Sequence, residues 1–95
     1  MKTGFVYIMS NKNRTVLYIG VTNNLERRVL EHRTRKSHFT KSYNCHYLLY
    51  FESITGMQNA IDREKQLKRW HREWKWNLIK AGNPELKDLS EGWYN

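Results

Sequence analysis

Ninety-five residues allow one modest hydrophobic core and leave little room for a second domain. An apolar content of 39% with 14% aromatics argues against a disordered chain, and a lone cysteine, Cys45, excludes an internal disulfide framework and fits a reducing compartment. Seventeen Lys and Arg against nine Asp and Glu give a net charge of +8, which favours polyanionic partners, nucleic acid before anionic membrane.

Charge alone does not separate a polyanion binder from a protein with a merely basic surface, so position has to decide. No apolar run approaches the length of a membrane span. Met1-Lys2-Thr3-Gly4 leads straight into a strand-like segment without the features of a signal peptide, so the cytoplasm is the expected location.

Gly4 to Ser10 reads as a strand, with Phe5, Tyr7 and Met9 on one face and Val6 and Ile8 on the other. Asn11 to Arg14 is a turn cluster, and Thr15 to Val21 returns as the second strand of a hairpin. Both strands are apolar on both faces, so helices are expected on both sides of the sheet. Asn24 is a candidate N-cap for a helix from Leu25 to about Thr34.

Arg33 to His46 carries Arg33, Arg35, Lys36 and Lys41 with no acid and reads as a basic loop. Tyr47 to Ile54 is a third strand. Thr55-Gly56 opens a long helical stretch to about Ala81, with a break expected near Trp70 and His71. Gly82 is expected in the C′ role with Pro84 beyond it. The tail, from Glu85, is expected to pack through Leu86, Leu89 and Trp93, giving a domain over 1–82 with 83–95 laid on it.

In the first helix Leu25 and Val29 mark the buried stripe. Arg28 and His32, four apart, flank it within about 60° at roughly 100° per residue. Both should lean toward the sheet, with Arg27 toward water; an arginine snorkelling beside a core is the plainer reading of that pair. In the second helix Met57, Ala60, Ile61 and Leu67 form the apolar stripe and Glu64 falls inside it, with Asp62 and Arg63 on the outer side. A carboxylate there costs several kcal/mol unless it is paired or holds a cation. A buried ion pair with Arg28 or a lysine and a metal ligand are both open on spacing alone. Tyr7 and Tyr18 lie on neighbouring strands, where tyrosines commonly only pack.

Taken together, Phe5-Val6-Tyr7 (or Val6-Tyr7-Ile8), Tyr18-Ile19-Gly20, the segment Asn24 to His32 and the segment Ala60 to Lys68 resemble the GIY-YIG nuclease family, its small stand-alone bacterial members in particular. The resemblance covers Gly4 to about Ala81. It implies an α/β (α+β) fold, a small three-stranded antiparallel sheet flanked by helices in the order β-β-α-β-α-α. It also implies a metal-dependent endonuclease acting on DNA, structure-selective or weakly sequence-specific, with RNA not excluded.

Carried over residue by residue, Glu64 would hold Mg²⁺ or Mn²⁺ and Arg28 would neutralise charge on the phosphate. Tyr7 would act as, or position, the general base, and Tyr18 and His32 would orient water and phosphate. Two departures stand out: Phe5 and Val6 separate Gly4 from Tyr7, and Val21 occupies a site where several members carry lysine.

The candidate phosphate contacts are Arg33, Arg35, Lys36, Lys41, Lys65, Lys68, Arg69 and Arg72. Trp70, Trp74 and Leu78 read as a core stripe, and Trp76 as a packing residue rather than a base-stacking one. His32, His38, Cys45 and His46 lack the paired spacings of a zinc site. A nucleic-acid-binding module with little catalysis is the alternative. A protein-interaction domain using Trp76 and Trp93 is a third reading, and high specificity in so small a domain would need a protein partner or a homodimer.

Overall fold

A computed structural model of the chain describes residues 2–34 and 44–94. β1 (Thr3–Ser10), β2 (Leu17–Thr22) and β3 (Tyr47–Thr55) form an antiparallel sheet in the order β2-β1-β3. Helix α1 (Leu25–Arg33) connects β2 to β3 in sequence, and α2 (Met57–Arg69) and α3 (Arg72–Gly82) follow. This is the expected order of elements.

The central strand alternates as its sequence requires. Val6 and Ile8 are buried in a core with Ile19, Leu49, Ala60, Leu67 and Ile79, so α2 and α3 cover that face. Tyr7 and Met9 are buried on the other face with Leu25, Val29, Cys45 and Leu48, so α1 covers that one. Two cores therefore share one sheet. Gly4 sets how closely α2 approaches β1: a Cβ there would lie 2.5 Å from Ala60 Cβ and 2.9 Å from Met57 Sδ.

The local signals at helix ends mostly act as read. The Asn24 side chain accepts the Arg27 N–H at 3.1 Å and starts α1. α2 stops at Trp70, whose backbone is extended (φ −68°, ψ 148°), and α3 begins two residues later.

Several expectations are corrected. β2 begins at Leu17 rather than Thr15, because Asn11 Oδ1 accepts from the backbone N–H of Thr15 (2.8 Å) and Val16 (3.0 Å) and holds both in the turn. Gly82 is the last residue of α3, not a left-handed residue beyond it. Asn83 closes that end instead: its N–H donates to the Ile79 carbonyl at 2.8 Å, and its side chain donates to Leu49 and Lys87 carbonyls and accepts from Lys87 N–H. Leu86 and Trp93 pack on the cores, joined by Tyr94, whereas the Leu89 side chain is exposed and that residue docks through its N–H on the Leu48 carbonyl.

Of the expected Trp70–Trp74–Leu78 core stripe, Trp70 and Leu78 pack partly buried against the α2–α3 side core, whereas Trp74 is exposed. Trp76 packs on the α2–α3 side core, as read. Among the described residues no helix is long and apolar enough to cross a membrane.

Candidate active site

The site is built outward from β1. Tyr7 stands opposite Gly20 in the β1–β2 register, and its ring lies directly over that glycine. A Cβ at position 20 would collide with Oη and Cζ of Tyr7. The glycine is therefore a space requirement of the phenol, not a simple strand end. Burial, which leaves Tyr7 1% exposed, raises its pKa well above the ordinary phenol value, and Tyr7 stays neutral at physiological pH.

α1 brings its two polar residues onto that phenol. Arg28 Nε donates to Tyr7 Oη at 3.2 Å, and Tyr7 Oη lies 2.9 Å from His32 Nε2. His32 is fully buried; burial first, and then the Arg28 charge, lower its pKa to about 4. It is thus neutral near pH 7, and we assign the tautomer in which Nε2 accepts the Tyr7 hydroxyl proton. Arg28 remains half-open to solvent, with Nη1 on Glu31 Oε1 at 3.2 Å.

Tyr18 completes the group from β2. Its ring centroid lies 6.2 Å from that of Tyr7 and 5.1 Å from that of His32. Its hydroxyl acts on both Tyr7 and Arg28 as a hydrogen-bonding neighbour. Tyr18 is only half-buried, so it and Arg28 form the accessible front, with Tyr7 and His32 behind them.

Glu64 comes from α2, the helix on the other face. Its side chain is 14% exposed and its Oε2 lies 3.1 Å from Lys68 Nζ, so a lysine pair is what the structure shows around it. Lys68 also walls a cavity with Leu17, Tyr18, Ile19 and Lys75, which links the Glu64 region to the β2 edge that carries Tyr18. Among the described residues no three His, Cys, Asp or Glu side chains cluster around a possible ion. A single shielded carboxylate suits Mg²⁺ or Mn²⁺, hard cations that keep waters and take phosphate oxygens, and it does not suit zinc.

The candidate phosphate contacts divide. Lys65, Lys68, Arg69 and Arg72 are exposed on α2 and the start of α3. Arg33 is not presented outward: its guanidinium binds Asp88 Oδ2 at 2.5 Å and Ser90 Oγ at 2.7 Å and lies over the Tyr94 ring at 5.3 Å, tying the tail to α1. Arg35, Lys36 and Lys41, with most of the expected basic loop, lie outside the described residues.

Arg63 was expected on the outer side of its helix. It instead binds both carboxylate oxygens of Glu52 (2.9 and 3.0 Å) and stacks on Trp70 at 5.3 Å, with Tyr50 hydrogen-bonded to the same carboxylate. Glu31 was missed as a neighbour of the site, although it was legible as the i+3 partner of Arg28.

The sheet order, the glycine beneath a phenol and the phenol–guanidinium–imidazole cluster define a class of small α+β domain, and comparison with known proteins gives the same class. Residues 3–77 match the family model described as the GIY-YIG catalytic domain, and the chain belongs to that family. It is 37% identical over 87 residues to the UPF0213 protein of Syntrophus aciditrophicus, spanning 90% of this chain and 98% of that one. It is 35% identical over 78 residues to a UPF0213 protein of Clostridium perfringens, spanning 81% and 83%. The solution NMR structure of the UPF0213 protein BH0048 from Bacillus halodurans shares the fold, with a TM-score of 0.58 at 21% identity over 95% of this chain and 97% of that one.

Proposed function

We propose that the protein is a divalent-metal-dependent endonuclease that hydrolyses DNA phosphodiester bonds, selecting structure more than sequence. The observation that carries this reading is the hydrogen-bonded run from Arg28 through Tyr7 to His32, with Tyr18 set in front of it. Family membership supplies the reaction class. Net charge of +8 and the exposed bases of α2 supply attraction to the polyanion.

In this reading Arg28 binds the scissile phosphate and offsets the negative charge that grows on it. Tyr18 is the phenol that an attacking water can reach. Tyr7, which donates to His32 Nε2 and accepts from Arg28 Nε, orients that phenol, and as Tyr18 takes the water proton its own proton passes to the solvent it faces. A neutral imidazole is needed to accept the Tyr7 hydrogen bond, and burial keeps it neutral. Glu64 would hold the cation, which when bound supplies Lewis-acid stabilisation of the leaving oxygen. Lys68 would leave Glu64 and turn to the phosphate.

The Glu64–Lys68 pair, together with Val21 in place of a lysine, also supports a second reading, a DNA-binding module with little catalysis. Nicking of labelled branched, single-stranded and duplex DNA with and without Mg²⁺ or Mn²⁺ separates the two. Metal-dependent cleavage that falls by about 10²–10³ in Arg28→Ala, and is also lost in Glu64→Ala, supports the nuclease. Salt-sensitive binding without cleavage selects the module. Cleavage unchanged in both variants removes these residues from the mechanism.

A further inference from the structure

Among the described residues Trp74 is the large hydrophobic side chain that the fold leaves most open, at 52% exposure. It sits in the first turns of α3, beside two other rings. Trp70 meets it at 6.2 Å with the planes 82° apart, and His71 at 5.0 Å and 87°. These two perpendicular contacts fix the indole while leaving half of it to solvent. Trp70, Trp74, Asn77 and Leu78 line an apolar depression. Trp70 also walls the neighbouring one, lined by Lys65 and Arg69 together with Asp62 and Gln66, two bases against one acid. An apolar shelf and a basic slot thus share one side.

The charge around the shelf states what it can hold. From Met57 to Gly82 the chain carries Arg63, Lys65, Lys68, Arg69, Arg72, Lys75 and Lys80 against Asp62, Glu64 and Glu73. Of those acids, Glu64 is paired with Lys68, and Asp62 and Glu73 are exposed carboxylates outnumbered by the bases around them. A partner for this surface must be apolar and flat at one point and anionic beside it. An unpaired base next to its phosphates has that form, whereas a base inside a continuous duplex has both faces covered by its neighbours.

We propose that the Trp70–Trp74 shelf is a stacking platform for an unpaired base, with Lys65 and Arg69 on the adjoining phosphates, so that the protein selects DNA bearing single-stranded nucleotides over continuous duplex. The inference takes its partner, DNA, from the nuclease reading and sharpens which DNA. The basic run on α2 continues from Lys65 to Lys68, which lines the Tyr18 cavity. A strand seated on the shelf is thereby led toward the candidate active site. Stacking on tryptophan tolerates any base and contributes on the order of tenfold to a hundredfold in affinity.

Fluorescence anisotropy in EDTA tests this without reading cleavage. The probes are a labelled oligothymidylate, a blunt duplex of equal length and the same duplex with a short single-stranded flap. Trp74→Ala is expected to weaken binding of the oligothymidylate and the flapped duplex by about tenfold or more, and of the blunt duplex by less than about twofold. Trp74→Phe should keep most of the affinity, and Lys65→Ala with Arg69→Ala should weaken all three probes and flatten their salt dependence. An unchanged thermal midpoint shows that Trp74→Ala is folded.

The proposal is overturned if Trp74→Ala binds all three probes like the wild type or loses all three equally. It is also overturned if that variant only changes the oligomeric state, which would give the shelf to a protein. Cleavage of the same probes in Mg²⁺ reports on the nuclease reading separately, so a protein that never cuts but discriminates through Trp74 keeps this inference and loses the other.

Discussion

The sheet treats polar groups differently on its two faces. Under α1, Tyr7 and His32 are almost wholly buried and hydrogen-bonded to each other, with the charged Arg28–Glu31 pair kept at the half-open rim. Across α2 the polar groups come as opposite charges, Glu52 with Arg63 and Glu64 with Lys68. The neutral phenol–imidazole pair in its dry setting is geometrically rigid and intolerant of protonation. Charge pairs near a rim can exchange one partner for another, a property that suits a residue meant to meet cations and phosphates. The groups proposed to react are thus held on one face, and the paired charges of α2 on the other.

The largest effect that would break this comparison is acid destabilisation from His32. Its folded pKa is about 4 against the ordinary 6.5, so between those values the unfolded chain binds more protons than the folded one. Stability from its burial is full above pH 6.5 and should fall by a few kcal/mol as pH drops toward about 4. Thermal midpoints across that window should fall less steeply in His32→Gln, which has no titrating group. Equal slopes in both proteins would show that His32 is not held neutral.

A smaller effect comes from Gly20. Gly20→Ala puts a methyl group into the Tyr7 ring and should cost about 1–3 kcal/mol in urea unfolding. A neutral outcome would mean the phenol does not lie over that strand. The smallest concerns the tail. Asp88→Asn leaves Arg33 without its anion and should cost on the order of 1 kcal/mol, since both side chains retain some solvent access. The change should also loosen the end of α1 and speed its backbone hydrogen exchange.

Much of the fold was legible because it is local. Alternation set the faces of β1, Asn24 marked the start of α1, and the Trp70-His71 break followed from a change of pattern. The helical angle also placed Arg28 and His32 toward the sheet. What was missed depends on residues far apart in sequence. Arg33 looked like a free base because Asp88 lies 55 positions away. Arg63 looked outward because its partner Glu52 is on β3. Trp74 fits an apolar stripe by spacing, but the break at Trp70 turns α3 so that the indole faces out. The capping role of Asn83 is likewise set by carbonyls on β3 and in the tail.

The central claim is that the Tyr7 hydroxyl links the guanidinium and the imidazole into one reacting unit. Tyr7→Phe keeps the ring over Gly20 and removes only that oxygen, so single-turnover cleavage of a flapped DNA in Mg²⁺ isolates its contribution. The rate should fall by about a hundredfold or more, with DNA affinity in EDTA and the circular dichroism spectrum unchanged. A Tyr7→Phe protein that cuts at the wild-type rate would contradict it.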